Sequence, residues 1–194
     1  MFKGMMWALV FALMSASYGQ ESFKSAGKSN KPLMRLQSSS FKDGGPIPDK
    51  YTCNGKNISP ELNWKNAPSK TKCFALVVED PDAPLKTWIH WVIFNIPAKL
   101  SGLDGSAMGQ VHELTEDFPR DEKTTEGIVQ GVNDFRKLGY DGPCPPSGIH
   151  RYYFKLYALD APVVAPAGIS EDQLQKLIKG HVLAWTQIMG TYGK

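Results

Sequence analysis

Short apolar runs, each bounded by turn-forming residues, organise the chain from residue 34 onward. Two of them, Cys73–Val78 and Ile89–Ile96, predict buried strands, and each run is soon followed by a proline. The aromatic run Arg151–Leu159 predicts a third strand, because aromatic residues suit the pleated, half-buried surface of a sheet. A weaker alternation of apolar and polar residues over positions 34–40 predicts a first strand.

One segment near the C-terminus has the pattern of a helix. Ser170 and Gln173 form a capping-box arrangement, in which the serine hydroxyl accepts from the backbone amide three residues later. Apolar residues then recur at helical spacing until Gly190 closes the segment, namely Leu174, Leu177, Ile178, His181, Val182 and Trp185. Strands first and a helix late predict a mostly antiparallel β architecture with a helix at its edge.

Two regions lack a regular period. Residues 98–127 combine glycine, serine and mixed charges, which predicts a long surface excursion, and the charge-rich part from Glu113 to Glu126 is expected to be a solvated face. Residues 20–33 are mostly polar and predict a flexible tether. A folded domain is therefore expected over 34–194.

The first 19 residues, MFKGMMWALVFALMSASYG, have the outline of a secretory signal peptide. Lys3 supplies a positive start, an apolar run follows, and small residues come after it. That run is shorter than the roughly 20 residues a membrane-spanning helix needs. We expect an exported protein, periplasmic or secreted, without an integral membrane segment after cleavage. A buried N-terminal helix and a membrane anchor are the alternatives.

Composition narrows the function classes only slightly. The 194 residues include 22 basic and 19 acidic ones, a net charge of +3, and no basic cluster stands out, so nucleic acid is not an expected partner. The 18 glycines and 14 prolines predict many turns. A chain of this length buries a core without needing a disulfide framework.

The first motif with chemical potential is Asp80-Pro81-Asp82-Ala83-Pro84, which is followed by Trp88 and His90. Two prolines stiffen the turn, and the returning strand is expected to bring Asp80 and His90 together at one end of a sheet. A carboxylate beside an imidazole favours the imidazolium and hence an anionic ligand. For Asp82 we expect a turn-capping role instead.

The second motif is GYDGPCPPSGIHRY, residues 139–152, a stiff loop that leads into a strand. His150 and Tyr152 are two residues apart and therefore face the same side of that strand. Arg151 faces the other side, where a backbone carbonyl and a ligand are equally good partners for it. His112 and His181 are expected to be structural or solvated.

Together these segments resemble the phosphatidylethanolamine-binding protein family, and in particular its prokaryotic, Raf kinase inhibitor-like branch. The resemblance covers about residues 34–194, and the segments that carry it are 51–55, 58–60, 80–84, Trp88, His90-Trp91, 131–135, 139–146, 150–152, 180–184 and 190–193. It implies an antiparallel Greek-key β-sandwich with peripheral helices. It also implies a small pocket for a phosphate-like anion or a phospholipid head group.

Carried over residue by residue, the resemblance implies a ligand-binding set made of Asp80, Trp88, His90, Gly142, His150 and Tyr152. Pro84 and Pro143 would shape the walls of the pocket. Eukaryotic members also cover the pocket with a C-terminal helix that bears a further tyrosine, and no residue here matches that tyrosine.

The expected compartment determines whether any of the three cysteines can form a disulfide. Cys53 and Cys144 lie in turn-rich loops of the matching motifs, and an exported chain meets an oxidising environment, so we expect this pair to form a disulfide. Cys73 lies in an apolar strand and is expected to be a buried free thiol. Three reduced thiols are the alternative. No cofactor is expected, and no metal, because no Cys-x-x-Cys or His-x-x-x-His spacing occurs.

Three functions are compatible with these features. The first is an exported ligand-binding or regulatory protein, which we favour. The second is a secreted inhibitor or interaction protein that acts on a protease, a kinase or a host protein, with 98–127 as its contact surface. The third is a phosphoester hydrolase that uses Asp80 and His90 as an acid–base pair. A protein partner and a homodimer both stay open at this point.

Overall fold

The computed structural model describes residues 33–105, 112–113 and 127–193, and within these ranges the architecture is mainly β. The strands are β1 (Arg35–Gln37), β2 (Leu62–Lys65), β3 (Cys73–Asp80), β4 (Trp88–Pro97), β5 (Gly102–Leu103), β6 (His112–Glu113), β7 (Val129–Gln130), β8 (Lys137–Leu138), β9 (Ile149–Leu159) and β10 (Val182–Gly193). The described part also contains one α-helix, α1 (Glu171–Ile178), and a 3-10 turn at Asp49–Tyr51.

The expected leader, 1–19, and the expected tether, 20–33 apart from Leu33, lie outside the described residues and stay predictions. The charge-rich part of the excursion also lies outside them, except for the backbone of β6. Among the residues that are described, no helix is long and apolar enough to cross a membrane.

Antiparallel pairing joins the strands into three sheets. A five-stranded sheet has the order β10-β9-β3-β4-β7, a three-stranded sheet the order β1-β2-β5, and β6 pairs with β8. The central strand, β3, is almost continuously buried because both faces of its sheet are covered. The prediction of a mainly antiparallel β protein is confirmed, whereas the Greek-key sandwich stays a prediction.

Two apolar layers cover the two faces of the five-stranded sheet. One lies towards the three-stranded sheet, where the Trp64 ring packs edge-on against Phe74 at 5.1 Å between centroids. The other lies towards α1, whose Leu174 and Ile178 are buried against Val77 and neighbouring residues. The first layer reaches one end of the sheet, and the candidate site lies there.

The expected helix begins as predicted but is much shorter. The capping box is present, with the Gln173 amide donating to Ser170 Oγ at 3.3 Å and the Ser170 amide donating to Gln173 Oε1 at 2.8 Å. The helix ends at Ile178, so the prediction that it continues to Gly190 is wrong. Gly180, at φ +87°, turns the chain, and His181 lies in that turn rather than on the helix.

The rest of the expected helix is strand β10. It pairs with β9 from Val182 to Gly193, and these interstrand hydrogen bonds outweigh the local helical period. The expected excursion at 98–127 also needs correction where it is described. Gly102–Leu103 forms β5 against β2, with Leu103 buried, and His112–Glu113 pairs with β8.

Candidate ligand-binding site

A cavity of about 210 Å³ opens at the end of the five-stranded sheet where β3 stops and where β4 and β9 begin. Because neighbouring strands are antiparallel, the end of β3 and the starts of its two neighbours meet at the same sheet edge. The lining residues are Asp80, Ala83, Pro84, Trp88, His90, Phe135, Cys144, Pro145, Pro146, His150 and Tyr152.

A β-bulge directs His90 towards this cavity. Val78 pairs with Trp91 and Glu79 pairs with Ile89, so β4 has one more residue than β3 at this point, and that residue is His90. The bulge interrupts the alternation of faces, which is how bulges re-aim side chains. The His90 ring consequently lies near Tyr152, with 5.2 Å between ring centroids.

Asp80 is bonded to His150 and not to His90. His150 Nδ1 donates to Asp80 Oδ2 at 2.7 Å, and both residues are buried. Asp80 and His90 do meet at this end of the sheet, as expected, but they are not bonded to each other, because Asp80 bonds the histidine of β9 and His90 bonds the Asp141 carbonyl. Asp80 Oδ1 also accepts from the Asp82 amide at 2.9 Å, so the turn-capping bond expected of Asp82 is made by Asp80.

His90 is held by main chain instead. Its Nδ1 donates to the carbonyl oxygen of Asp141 at 2.6 Å, and the Asp141 amide donates back to the His90 carbonyl at 3.0 Å. Burial lowers the pKa of His90, although the Asp141 carbonyl and the Asp80 carboxylate act in the opposite direction. The imidazole is therefore neutral at neutral pH, with a fixed donor on Nδ1.

Two cavity residues carry hydrogen-bond donors that the protein does not use. Tyr152 Oη and Trp88 Nε1 are both buried, and neither has a hydrogen-bond partner within the described protein. Burial raises the pKa of Tyr152, and the nearby Asp80 carboxylate, a competing acceptor for the same hydroxyl, raises it further by its charge, so the hydroxyl keeps its proton. Buried donors nearly always have a hydrogen-bond acceptor. Two buried donors without an acceptor beside the same cavity therefore indicate a missing partner.

The opposite wall of the cavity comes from loops and is largely apolar. Cys144, Pro145 and Pro146 belong to the second motif, and Cys144 is bonded to Cys53 with 5.5 Å between their Cα atoms. The expected disulfide is thus confirmed. Cys73 is free and buried, as expected, and burial raises the pKa of its thiol to about 11.

An ion pair joins the first motif to β9. Arg151 donates from Nη2 to Asp82 Oδ1 at 2.6 Å, and from Nε and its backbone amide to Asp82 Oδ2 at 2.8 and 2.9 Å. These bonds, led by the Arg151 side chain, lower the pKa of Asp82 to about 2. The partner of Arg151 is therefore a carboxylate, neither the backbone carbonyl nor the ligand considered for it.

Six of the eight residues that the family resemblance implied for the pocket line this cavity, namely Asp80, Pro84, Trp88, His90, His150 and Tyr152. Gly142 and Pro143 do not line it. Gly142 is buried against the 3-10 turn, where an added Cβ would lie 2.3 Å from the Tyr51 carbonyl oxygen. The Pro143 carbonyl accepts from the Cys53 amide at 3.2 Å, next to the disulfide.

Some important residues were not predicted from the sequence. Phe135 lines the cavity and contacts the Trp88 and His90 rings edge-on, at 5.5 and 5.3 Å between centroids. Asn57 donates to Asp141 Oδ1 and accepts from the Gly142 amide, each at 2.7 Å. Its backbone has φ +53°, which asparagine tolerates better than most residues. No local sequence signal indicates either contact.

The arrangement is that of a ligand-binding protein. Two imidazoles, one carboxylate and two unused donors converge on a small cavity with apolar walls, which is typical of a binding site for a small polar ligand. The described residues contain no cluster of three or more histidine, cysteine or acidic side chains that could hold a metal ion.

Comparison with known proteins gives the family. The family model described as phosphatidylethanolamine-binding protein matches residues 37–193, and the chain belongs to this family. A UPF0098 protein of Methanothermobacter thermautotrophicus is 46% identical over 159 residues, which cover 82% of this chain and 98% of that protein.

Solved structures agree with this assignment. A crystal structure of a phosphatidylethanolamine-binding protein homologue from Chlamydia trachomatis matches with a TM-score of 0.72 and 38% identity, over 84% of this chain and 98% of the other. The crystal structure of E. coli YbcL, described as a new member of the mammalian family, matches with a TM-score of 0.71 and 32% identity, over 84% and 99%.

Proposed function

We propose that this chain is an exported binding protein whose cavity holds a small anion of the phosphate class. The observation that carries the proposal is the pair of unused buried donors, Tyr152 Oη and Trp88 Nε1, on the cavity lining. Leaving a buried donor unpaired costs about 1–3 kcal/mol. An anion oxygen that accepts from these groups would remove that cost.

The surroundings suit a small oxyanion. His150 binds Asp80 through Nδ1, which leaves Nε2 for a ligand. Apolar walls strengthen each hydrogen bond by excluding water. The volume, about 210 Å³, is below the roughly 300–1,000 Å³ typical of drug-sized ligands, so a head group or free anion fits better than a whole lipid.

The family description names phosphatidylethanolamine, whose head group contains both a phosphate and an ammonium group. The head group in its monoester form, phosphoethanolamine, is therefore one source of the anion, and free phosphate is another. For the hydrolase alternative, the expected Asp80–His90 pair is not formed, because each of these residues bonds elsewhere. Binding is consequently the function that the geometry supports best.

Export is part of the proposal. Its supports are the signal-like first 19 residues and the exposed Cys53–Cys144 disulfide, since disulfides persist mainly in oxidising compartments. Fractionation of cells that express the full chain tests it. We expect the chain outside the cytoplasm, and retention inside when residues 1–19 are deleted. If the full chain and the variant without residues 1–19 are distributed equally between the cytoplasm and the outside, the proposal of export is contradicted.

The binding proposal is tested by titrating inorganic phosphate while observing histidine imidazole resonances by nuclear magnetic resonance. We expect the His90 and His150 signals to move, and Tyr152→Phe to weaken binding about tenfold through loss of one hydrogen bond. Tyr157→Phe is the matched control, because Tyr157 lies on the same strand but bonds Gln175 on the other face.

No movement of either imidazole at millimolar phosphate would overturn the proposal. Equal binding by the two phenylalanine variants would show that the Tyr152 hydroxyl is not a ligand donor, and the supporting observation would then fail.

A further inference from the structure

The two ring nitrogens of His90 have different and fixed roles. Nδ1 faces the carbonyl oxygen of Asp141 at 2.6 Å, and a carbonyl only accepts, so the hydrogen is on Nδ1. A neutral imidazole carries one N–H. Nε2 is therefore a hydrogen-bond acceptor, and no protein group donates to it among the described contacts of His90.

The groups around His90 keep its imidazole neutral, with the hydrogen on Nδ1. The ring is buried between Phe135 and Tyr152, at 5.3 and 5.2 Å between centroids, which disfavours a charge on the imidazole. Two carboxylates face it, those of Asp80 and Asp141, and both are already occupied. Asp80 is bonded to His150, and Asp141 to Asn57 and Lys137. Burial has the larger effect, and it lowers the pKa of His90.

The orientation of His90 is fixed from outside the cavity. Asn57 binds the Asp141 carboxylate and the Gly142 amide, each at 2.7 Å, and so holds the segment that presents the Asp141 carbonyl. Lys137 adds a contact to the same carboxylate at 3.0 Å. These bonds hold the Asp141 carbonyl against Nδ1 without any ligand, and Nε2 therefore stays the acceptor.

We propose that the cavity selects oxyanions that carry a proton, with His90 Nε2 accepting from the ligand hydroxyl while Tyr152 and Trp88 donate to its other oxygens. Hydrogen phosphate and protonated phosphate monoesters have such a hydroxyl. Sulfate and phosphate diesters do not. This inference rests on the proposed function and names the ligand class within it.

The selection follows from the mismatch in hydrogen bonding that a ligand without a hydroxyl creates at Nε2. A sulfate or diester oxygen placed against Nε2 brings two acceptors together and leaves both without a hydrogen. Sites built to bond a ligand hydroxyl reject analogues that lack it, because a buried polar group is then unpaired. We expect a preference of at least about tenfold, which corresponds to one such unpaired group.

The experiment compares four ligands by calorimetric titration of the full folded protein at pH 6. Inorganic phosphate and methyl phosphate are the proton-bearing pair, since the second pKa of a phosphomonoester is about 6. Dimethyl phosphate and sulfate are the proton-free pair. Dimethyl phosphate matches dihydrogen phosphate in charge, and sulfate exceeds it, so charge alone cannot produce the expected order.

His90→Gln tests the residue itself, with His181→Gln as the matched control. The glutamine amide supplies a donor as well as an acceptor near the former Nε2, so the preference for phosphate over sulfate should fall to about twofold. His181 is exposed in the turn after α1 and bonds Asp160, so its variant should keep the wild-type preference. In the wild type, phosphate should shift the His90 Nε2 nitrogen resonance while Nδ1 stays protonated.

The outcomes separate the inference from the function it rests on. If none of the four ligands binds, the proposed function fails. If all four bind within about threefold of one another, or if His90→Gln keeps the preference, the function stands and the selection by His90 is overturned. Intact phosphatidylethanolamine is a diester, so tight binding of its water-soluble diester head group, glycerophosphoethanolamine, would also count against the inference.

Discussion

The floor and the wall of the cavity are built differently. The floor consists of Asp80, His90, His150 and Tyr152, which are buried on strands of the five-stranded sheet. The wall consists of the loop residues Ala83, Pro84 and Cys144–Pro146, which are exposed or half-exposed. The floor obtains its geometry from strand pairing and core packing. The wall has no core of its own and depends on a few individual restraints, namely prolines, one disulfide and one ion pair.

The largest effect is expected from removing the disulfide, which restrains only the wall. The double variant Cys53→Ser, Cys144→Ser removes a link across a sequence separation of 91 residues. We expect a loss of about 2–5 kcal/mol in the free energy of unfolding, measured with urea. In the folded variant, resonances of the 144–146 loop should change, while those of the floor histidines stay where they are.

A reductant provides the control for this variant. Reduced wild type should resemble the double variant, and the variant itself should not respond to the reductant, because Cys73 is present in both proteins and already free. If the floor histidines move as much as the loop does, the two parts are not independent and the comparison fails.

The floor was largely predictable from the sequence, because its strands follow from apolar runs and its facing residues from a two-residue period. His150 and Tyr152 lie on one face of β9 for that reason. The exception is His90, whose direction depends on a β-bulge. The bulge arises from the pairing of β3 with β4, and the sequence of neither strand alone predicts it. Asp80 bonds His150 rather than His90 because β3 has two antiparallel neighbours, β4 and β9, and the apolar runs alone do not indicate that β9 is one of them.

The wall was less predictable because long-range contacts determine it. Proline-rich motifs predict stiff loops, but nothing local indicates that Phe135 completes the lining beside the wall. It does so because Asp134 Oδ2 accepts from the Ile89 amide at 2.7 Å and so holds that turn against β4. Strand β10 shows the same limit. Its residues have a helical period, yet pairing along the whole of β9 decides the outcome.

The next effect is a pH dependence that belongs to the floor. Burial lowers the pKa of His90 below the unfolded value of about 6.5, so below that pH the unfolded chain takes up a proton that the native state does not. Stability should therefore fall as pH falls below about 6.5, by at most about 1.4 kcal/mol per pH unit from this group.

His90→Gln isolates that contribution from those of the other titrating groups. Urea unfolding of both proteins between pH 7 and pH 5 should show a difference in free energy that shrinks towards acid pH. His181→Gln serves again as the control, because it removes an imidazole that lies in the exposed turn after α1, outside the cavity. Parallel profiles for wild type and His90→Gln would mean that His90 is not held neutral.

The smallest effect concerns the Asp82–Arg151 ion pair, which runs directly from a wall loop to a floor strand. Arg151 lowers the pKa of Asp82 to about 2, so the contribution of the pair is present above pH 4 and is lost as pH falls through about 2. The side chains of Asp82 and Arg151 are 28% and 51% exposed, so solvent screening keeps the coupling small.

A double-mutant cycle with Asp82→Asn and Arg151→Gln measures that coupling at pH 7, repeated in high salt, where it should shrink further. Because the pair orients a loop rather than supporting the core, phosphate affinity should respond more than stability does. The first motif contributes Ala83 and Pro84 to the wall, and a loosened loop admits water to the cavity. A coupling as large as the effect of removing the disulfide, or unchanged phosphate affinity in both single variants, would mean that the core holds this loop, and the division between floor and wall would have to be redrawn.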